Sequence, residues 1–168
     1  MKNALLMDFA VDKANKSITV KREFAAELPL VWDAFTKSEI LDKWWAPKPW
    51  KARTKTMDFR EGGHWHYAMV GPEGEEHWAF ASYESIQPQK GFTAFDGFSD
   101  ADGKINTEMP QSKWKSSFQD QGEYTTLVTF QITYDDLEQL ETTIQMGFKE
   151  GLTSAMEGLD ELLASNKL

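Results

Sequence analysis

Cysteine is absent from the 168 residues. Disulfide frameworks, thiolate nucleophiles, zinc ribbons and iron–sulfur ligation are therefore excluded, and a reducing compartment is permitted. Long apolar runs are missing too, and no window approaches the ~20 consecutive apolar residues that a membrane-spanning helix needs. The opening stretch, Met1 to Asp8, carries one positive charge, and Asp8 cuts its apolar run short of a signal-peptide core. These absences read as a cytoplasmic protein without membrane insertion. Basic charge is scarce: 18 Lys and Arg stand against 27 Asp and Glu, a net charge of -9, and the basic residues are scattered. Such a chain repels phosphate backbones, so nucleic acid is not expected as a partner. There is no internal repeat, low-complexity tract or linker rich in Gly, Ser or Pro, and the expected organisation is one domain over residues 1–168. A chain of this length buries roughly 70% of its unfolded surface unaided.

Catalytic signatures are lacking as well. No serine sits in a Gly-x-Ser-x-Gly elbow, and no Ser, His and acid match by spacing. Gly62-Gly63 is followed by His64-Trp65-His66 rather than by a phosphate-binding helix start, which suits a kink at a strand entry. His64 and His66 share one strand face and His77 is the only other histidine; no third ligand can be placed, so no metal and no cofactor are expected. Asp96, Glu141 and Glu150 have the rough position of a general acid or base, and none is assigned a catalytic role.

Aromatics, by contrast, are abundant. Seven tryptophans, including the pair Trp44-Trp45, require either a crowded core or a lined cavity. Ile18 to Phe24 alternates as a half-buried strand, with Phe9 to Asp12 as its hairpin mate. Pro29 opens a short helix carrying Val31, Trp32 and Phe35 towards Lys37, and Ser38 is expected to cap a second one reaching Lys43. Pro47 and Pro49 break that segment. Strands are expected at Arg53 to Phe59, His64 to Val70, His77 to Ile86, Phe92 to Phe98, Ser112 to Phe118 and Tyr124 to Tyr134, with Gly71 to Glu75 as a hairpin turn. From Asp135 the period becomes about 3.6, with Leu137, Leu140, Ile144, Phe148, Leu152, Ala155, Leu159 and Leu162 on one face of a long C-terminal helix whose first turns are open to being a separate piece. Gly147 and Gly151 fall on that face at about 1 kcal/mol each in helix propensity, which either close packing or space for a guest would explain.

With the hairpin centred on Glu73, Trp65, Tyr67 and Met69 share a face with Ala79, Ala81 and Tyr83. His64, His66 and Ala68 share the other face with Trp78 and Phe80. An outward Trp78 and Phe80 would need a bulge or a covering partner chain, and would point to self-association as a homodimer.

The order of elements resembles a known family. The carrying residues are Arg22-Glu23-Phe24-Ala25-Ala26, Val31-Trp32-Asp33-Ala34-Phe35-Thr36, Trp44-Trp45-Ala46-Pro47, Phe59-Arg60-Glu61-Gly62-Gly63 and Gly147-Phe148-Lys149-Glu150-Gly151. Together they resemble the homologues of the activator of heat-shock protein 90 ATPase, within the helix-grip superfamily of START lipid-transfer domains, polyketide cyclases and birch-pollen-type allergens. Phe98-Ser99-Asp100-Ala101-Asp102-Gly103, Asn106, Pro110 and Trp114 resemble a bacterial subgroup. The resemblance implies an α+β helix-grip fold: a curved antiparallel sheet around a long C-terminal helix, with two short helices after the first strands. It also implies a cavity that in many relatives takes an apolar small molecule, but no single activity. Ala81 stands where relatives commonly carry Gly, and Ser85 where they carry Glu.

The expected function is therefore non-enzymatic binding of a small hydrophobic or aromatic molecule. The expected lining is Trp44, Trp45, Trp65, Tyr67, Met69, Tyr83, Trp114 and Phe148. The alternatives are a cyclase- or hydrolase-like enzyme using a cavity carboxylate or histidine, and a co-chaperone-like interaction module. The last has little support, because the chain lacks the additional N-terminal domain of the eukaryotic activator.

Overall fold

The computed structural model describes residues 5–166 and 168; the reading of Met1 to Asp8 thus rests partly on residues outside those described. One eight-stranded sheet is built from β1 (Met7–Asp12), β2 (Ser17–Phe24), β3 (Lys51–Asp58), β4 (His64–Val70), β5 (Glu76–Gln87), β6 (Gly91–Ser99), β7 (Gln111–Gly122) and β8 (Thr125–Tyr134). Its order is β1-β2-β8-β7-β6-β5-β4-β3. Every neighbouring pair is antiparallel. Helices α1 (Leu28–Thr36) and α2 (Ser38–Trp44) follow β2, and α3 (Leu137–Gln145) and α4 (Phe148–Ser165) close the chain. Register shifts at Thr54/Thr56, Tyr83/Ser85 and Asp120/Gly122 break the ladders. Such irregularities bend strands, as a sheet gripping a helix requires.

Alternation decides which face is covered. Ile18, Val20 and Phe24 are fully buried on β2, and Val128, Phe130 and Ile132 lie beside them on β8. α4 lays Leu152, Ala155, Met156 and Leu159 onto this face. A fully buried side chain of this kind contributes about 1.5–3 kcal/mol. Arg22 follows the same alternation inward, where it pairs with Asp160 of α4 and donates from Nη1 to Glu23 O at 2.6 Å. α1 adds Phe35, edge-on to Trp44 at 4.8 Å and to Phe118 at 5.4 Å.

Several local expectations need correction. Ser38 is the first helical residue rather than the cap: Lys37 terminates α1 and opens α2, leaving no room for a separate capping residue. Tyr124 is a turn residue with φ of +58°, and β8 begins at Thr125. The first turns of the C-terminal segment form a separate helix, α3, and the correction there concerns Gly147: at φ +84° it breaks the axis and serves a left-handed backbone, not a helix interior. At its far end the buried position is Leu163, where Leu162 is half-buried.

The outer face of β4 and β5 is covered by the chain itself. Between β6 and β7 the loop folds back, with Ser99 bridging Ile105 and Asn106 N donating to Phe98 O at 2.8 Å. The loop seats Gly103 against Phe80: a Cβ there would lie 3.4 Å from the ring, and φ is +88°. His66 Nε2 meets Asp100 O at 3.0 Å, and Lys55 Nζ donates to Ala101 O at 2.6 Å. Phe80 is half-buried as a result and His66 is buried. Trp78 lies beneath the cations of Arg53 and Lys55, at 5.6 and 5.8 Å from its ring. Trp78 and Phe80 are thus each half-buried by the chain's own residues.

Candidate functional site

Two adjoining chambers lie between the sheet and the helices. The inner one, about 60 Å³, is bordered by Trp65, Ala81, Tyr83 and Ala94 from the sheet and by Phe35 and Leu41 from α1 and α2. The outer one, about 250 Å³, is bordered by Met69, Ala79 and Phe98 from the sheet and by Thr143, Met146, Phe148 and Gly151 around the α3–α4 break. Trp45, Tyr67, Asp96 and Trp114 border both. They form the waist between the chambers.

The hairpin register explains the shape. Trp65 pairs with Ala81 and Tyr67 with Ala79, so large rings on β4 face methyl groups on β5 and space is left above the latter. Ala81 adds its methyl to the inner chamber. Ser85 lies on the opposite face, bonded to Thr93 Oγ1 at 2.8 Å, and takes no part. At the outer chamber Gly151 leaves room: a Cβ would meet only Pro47 Cγ, at 3.8 Å. Of the two explanations for this glycine, space is the one the geometry supports.

The indoles hold one another in place. Trp45 lies 5.3 Å from Trp44, 5.8 Å from Trp65 and 6.2 Å from Trp114, ring centre to ring centre. Each N–H is already used. Trp45 Nε1 donates to Tyr67 Oη at 3.0 Å, Trp65 Nε1 to Thr54 Oγ1 at 3.0 Å, and Trp114 Nε1 to Ser112 Oγ at 3.1 Å. The rings therefore offer the chambers their faces and not their donors. Trp44 needs correcting among the expected lining residues. Its Nε1 donates to Ala34 O at 2.9 Å, it is 2% exposed, and it borders neither chamber. It lies one layer deeper because it ends α2, on the helix face turned to Phe35. Trp45, Trp65, Tyr67, Met69, Tyr83, Trp114 and Phe148 do border a chamber.

Asp96 is the carboxylate of the site. On β6 it is flanked by Ala81 and Ser112, neighbours too small to cover it. Among the described residues none donates a hydrogen bond to its carboxyl. No described polar side-chain atom is both sealed from solvent and unpaired, so these oxygens open onto the chambers. Burial pushes the group from its ordinary 3.8 up to about 7. Tyr67 and Tyr83 are pushed above the usual phenol range by burial and then by the Asp96 charge, and both stay neutral. Glu141 and Glu150 are elsewhere: Glu141 pairs with Lys13 at 3.4 Å and Glu150 is exposed.

The histidines have structural partners. His64 Nε2 meets Thr56 Oγ1 at 2.8 Å and its ring stacks on Phe80 at 5.2 Å. His66 holds the covering loop, and His77, exposed beside Trp50 at 5.0 Å, borders the outer chamber. Among the described residues no group of three His, Cys, Asp or Glu could hold a metal ion. Sequence reasoning missed Phe98, Thr143, Met146 and His77 as walls. The signal for Phe98 was present, because Ala94, Asp96 and Phe98 form one alternating face.

Comparison with known proteins agrees with this architecture. Protein Ms6760 from Mycobacterium smegmatis is 31% identical with a TM-score of 0.86, covering 95% of this chain and 97% of that one. A solution structure of an Arthrobacter aurescens protein is 27% identical with a TM-score of 0.88, over 94% and 91% of the two chains. A Silicibacter pomeroyi protein named AHSA1, 20% identical with a TM-score of 0.70 over 89% and 99%, shares the fold. No curated protein matches the sequence. No described helix is long and apolar enough to cross a membrane. Residues 25–164 match the family described as Activator of Hsp90 ATPase homolog 1-like protein, and the chain belongs to that family.

Proposed function

We propose that the protein is a non-enzymatic cytoplasmic binding protein for one small apolar or aromatic molecule, held between the sheet and α4. The observation that carries this reading is the outer chamber of about 250 Å³, walled by Trp45, Trp114, Phe148 and Met69 and continued inward past the waist. Concave, mostly apolar sites with few polar groups are the usual form of a small-molecule site. Titration of tryptophan emission with a panel of naphthalenes, indoles and medium-chain alcohols tests it. Gly151→Leu, which fills the outer chamber, serves as the blocked control. Saturable quenching that disappears in the variant is expected; no response from any compound, or an equal response in the blocked variant, refutes the proposal.

One observation favours a second reading, a proton-transfer enzyme. A cavity carboxyl raised to about 7 has the proton affinity that general acid–base chemistry uses near neutrality. Among the described lining residues no nucleophile is hydrogen-bonded to a base, so binding is preferred.

A further inference from the structure

We propose that the bound molecule carries a protonated amine on its apolar body, and that the waist seats this ammonium group against the Asp96 carboxylate and the ring faces of Trp45 and Trp114. This rests on the binding reading above and names the chemistry of its ligand. Four observations converge on it. The Asp96 carboxyl opens onto both chambers with no described donor bonded to it, so its acceptor sites face whatever enters from outside the chain. A half-buried carboxylate without a charge partner is disfavoured, and a ligand cation relieves this where a neutral ligand leaves the acid protonated. The indole N–H groups are spent on Tyr67 and Ser112, which leaves electron-rich faces of the kind that attract ammonium groups. The protein's net charge of -9 favours approach of a cation.

The surrounding charges do not already neutralise the site. From β4 and β5 the groups facing it are the Tyr67 and Tyr83 hydroxyls, and from β8 that of Tyr134, raised to about 12 by burial. His77 stands exposed at the outer rim. On α4, Lys149 lies 5.7 Å from the Phe9 ring and Glu150 is exposed, and neither borders a chamber. A carboxylate-bearing ligand would place a second anion beside Asp96 and could enter only with that group protonated. The ligand's charge sign therefore sets the sign of the pH dependence.

Calorimetric titration with three matched probes, 2-(1-naphthyl)ethylamine, 2-(1-naphthyl)ethanol and 1-naphthylacetate, tests this at pH 6 and pH 8. The amine should bind tightest at pH 8 and gain about tenfold from pH 6 to pH 8, as the ionised fraction of Asp96 rises. The alcohol should change little, and the acetate should weaken about tenfold over the same range. In Asp96→Asn the amine should fall to the level of the alcohol and lose its slope, with His77 still present. An amine no tighter than the alcohol, or an amine slope that survives Asp96→Asn, overturns the inference while binding of the alcohol upholds the cavity reading. Tightest binding of the acetate at pH 8 overturns the inference as well. Failure of all three probes overturns both.

Discussion

Asp96→Asn should make the protein more stable, and increasingly so as pH rises. The folded state holds this carboxyl at about 7 against an ordinary 3.8, so the folded state keeps a proton that the unfolded chain releases. Because the folded value is raised for an acid, stability falls as pH climbs through the interval from 3.8 to about 7, and the loss is complete above it. At 1.36 kcal/mol per pH unit the full loss is about 4 kcal/mol, of which about 1 is already present at pH 4.5. An asparagine of the same shape has no such charge to desolvate. The stability difference between variant and parent should therefore grow by about 3 kcal/mol between pH 4.5 and pH 8. Urea denaturation followed by far-UV circular dichroism measures it, and in a domain of this size the gap corresponds to a melting-temperature difference of roughly 6–12 °C. The lowered carboxylates, Asp12, Glu76, Glu84, Asp100 and Asp136, give both proteins the opposite trend and cancel in the difference. A difference that is flat with pH, or a parent more stable than the variant at pH 8, would refute the reasoning.

Three further perturbations probe other parts of the molecule. Gly151→Leu should fold with unchanged or slightly higher stability, gaining up to about 1 kcal/mol of helix propensity, because the added side chain enters open space beside Pro47; a large loss on thermal denaturation would contradict the free volume assigned there. Asp160→Asn should lower stability by about 1–2 kcal/mol in urea, since Arg22 is buried while its partner stays about a third exposed; a loss under about 0.5 kcal/mol would make the pair a surface contact in energetic terms. His66→Phe removes the bond to Asp100 O and should raise amide exchange in residues 100–106 while β7 and β8 stay protected; unchanged exchange there would show that the loop is held without it.

Much of the fold was legible because alternation and helical period are local signals. That Trp65, Tyr67 and Met69 share a face with Ala79 and Ala81 followed from the Glu73-centred turn, since a two-residue period passes directly from Tyr67 to Ala79 once the register is known, and the family resemblance turned that face inward. Trp44 and Trp45 show where this stops. Adjacent in sequence and alike in type, they separate into core and cavity wall according to where α2 ends against Phe35, a tertiary fact. The covering loop was illegible for a related reason: Gly103 reads as a turn glycine, and nothing local says that the turn lands on Phe80. Asp96 could be noticed among carboxylates, yet its opening onto the chambers depends on the small neighbours Ala81 and Ser112, which lie beside it only in the folded sheet.

The strand order has a temporal consequence. β2 pairs with β1 on one side and with β8 on the other, where Ser17 meets Thr133 and Phe24 meets Thr126, partners more than a hundred residues away. A chain emerging from the ribosome can close the β1–β2 hairpin at once, but the other edge of β2 must wait, its Ile18, Val20 and Phe24 uncovered, until β8 and then α4 are made. Such non-local closure slows folding and leaves an unpaired apolar edge exposed during synthesis. The outer chamber is the last thing to exist, closed when α3 and α4 dock.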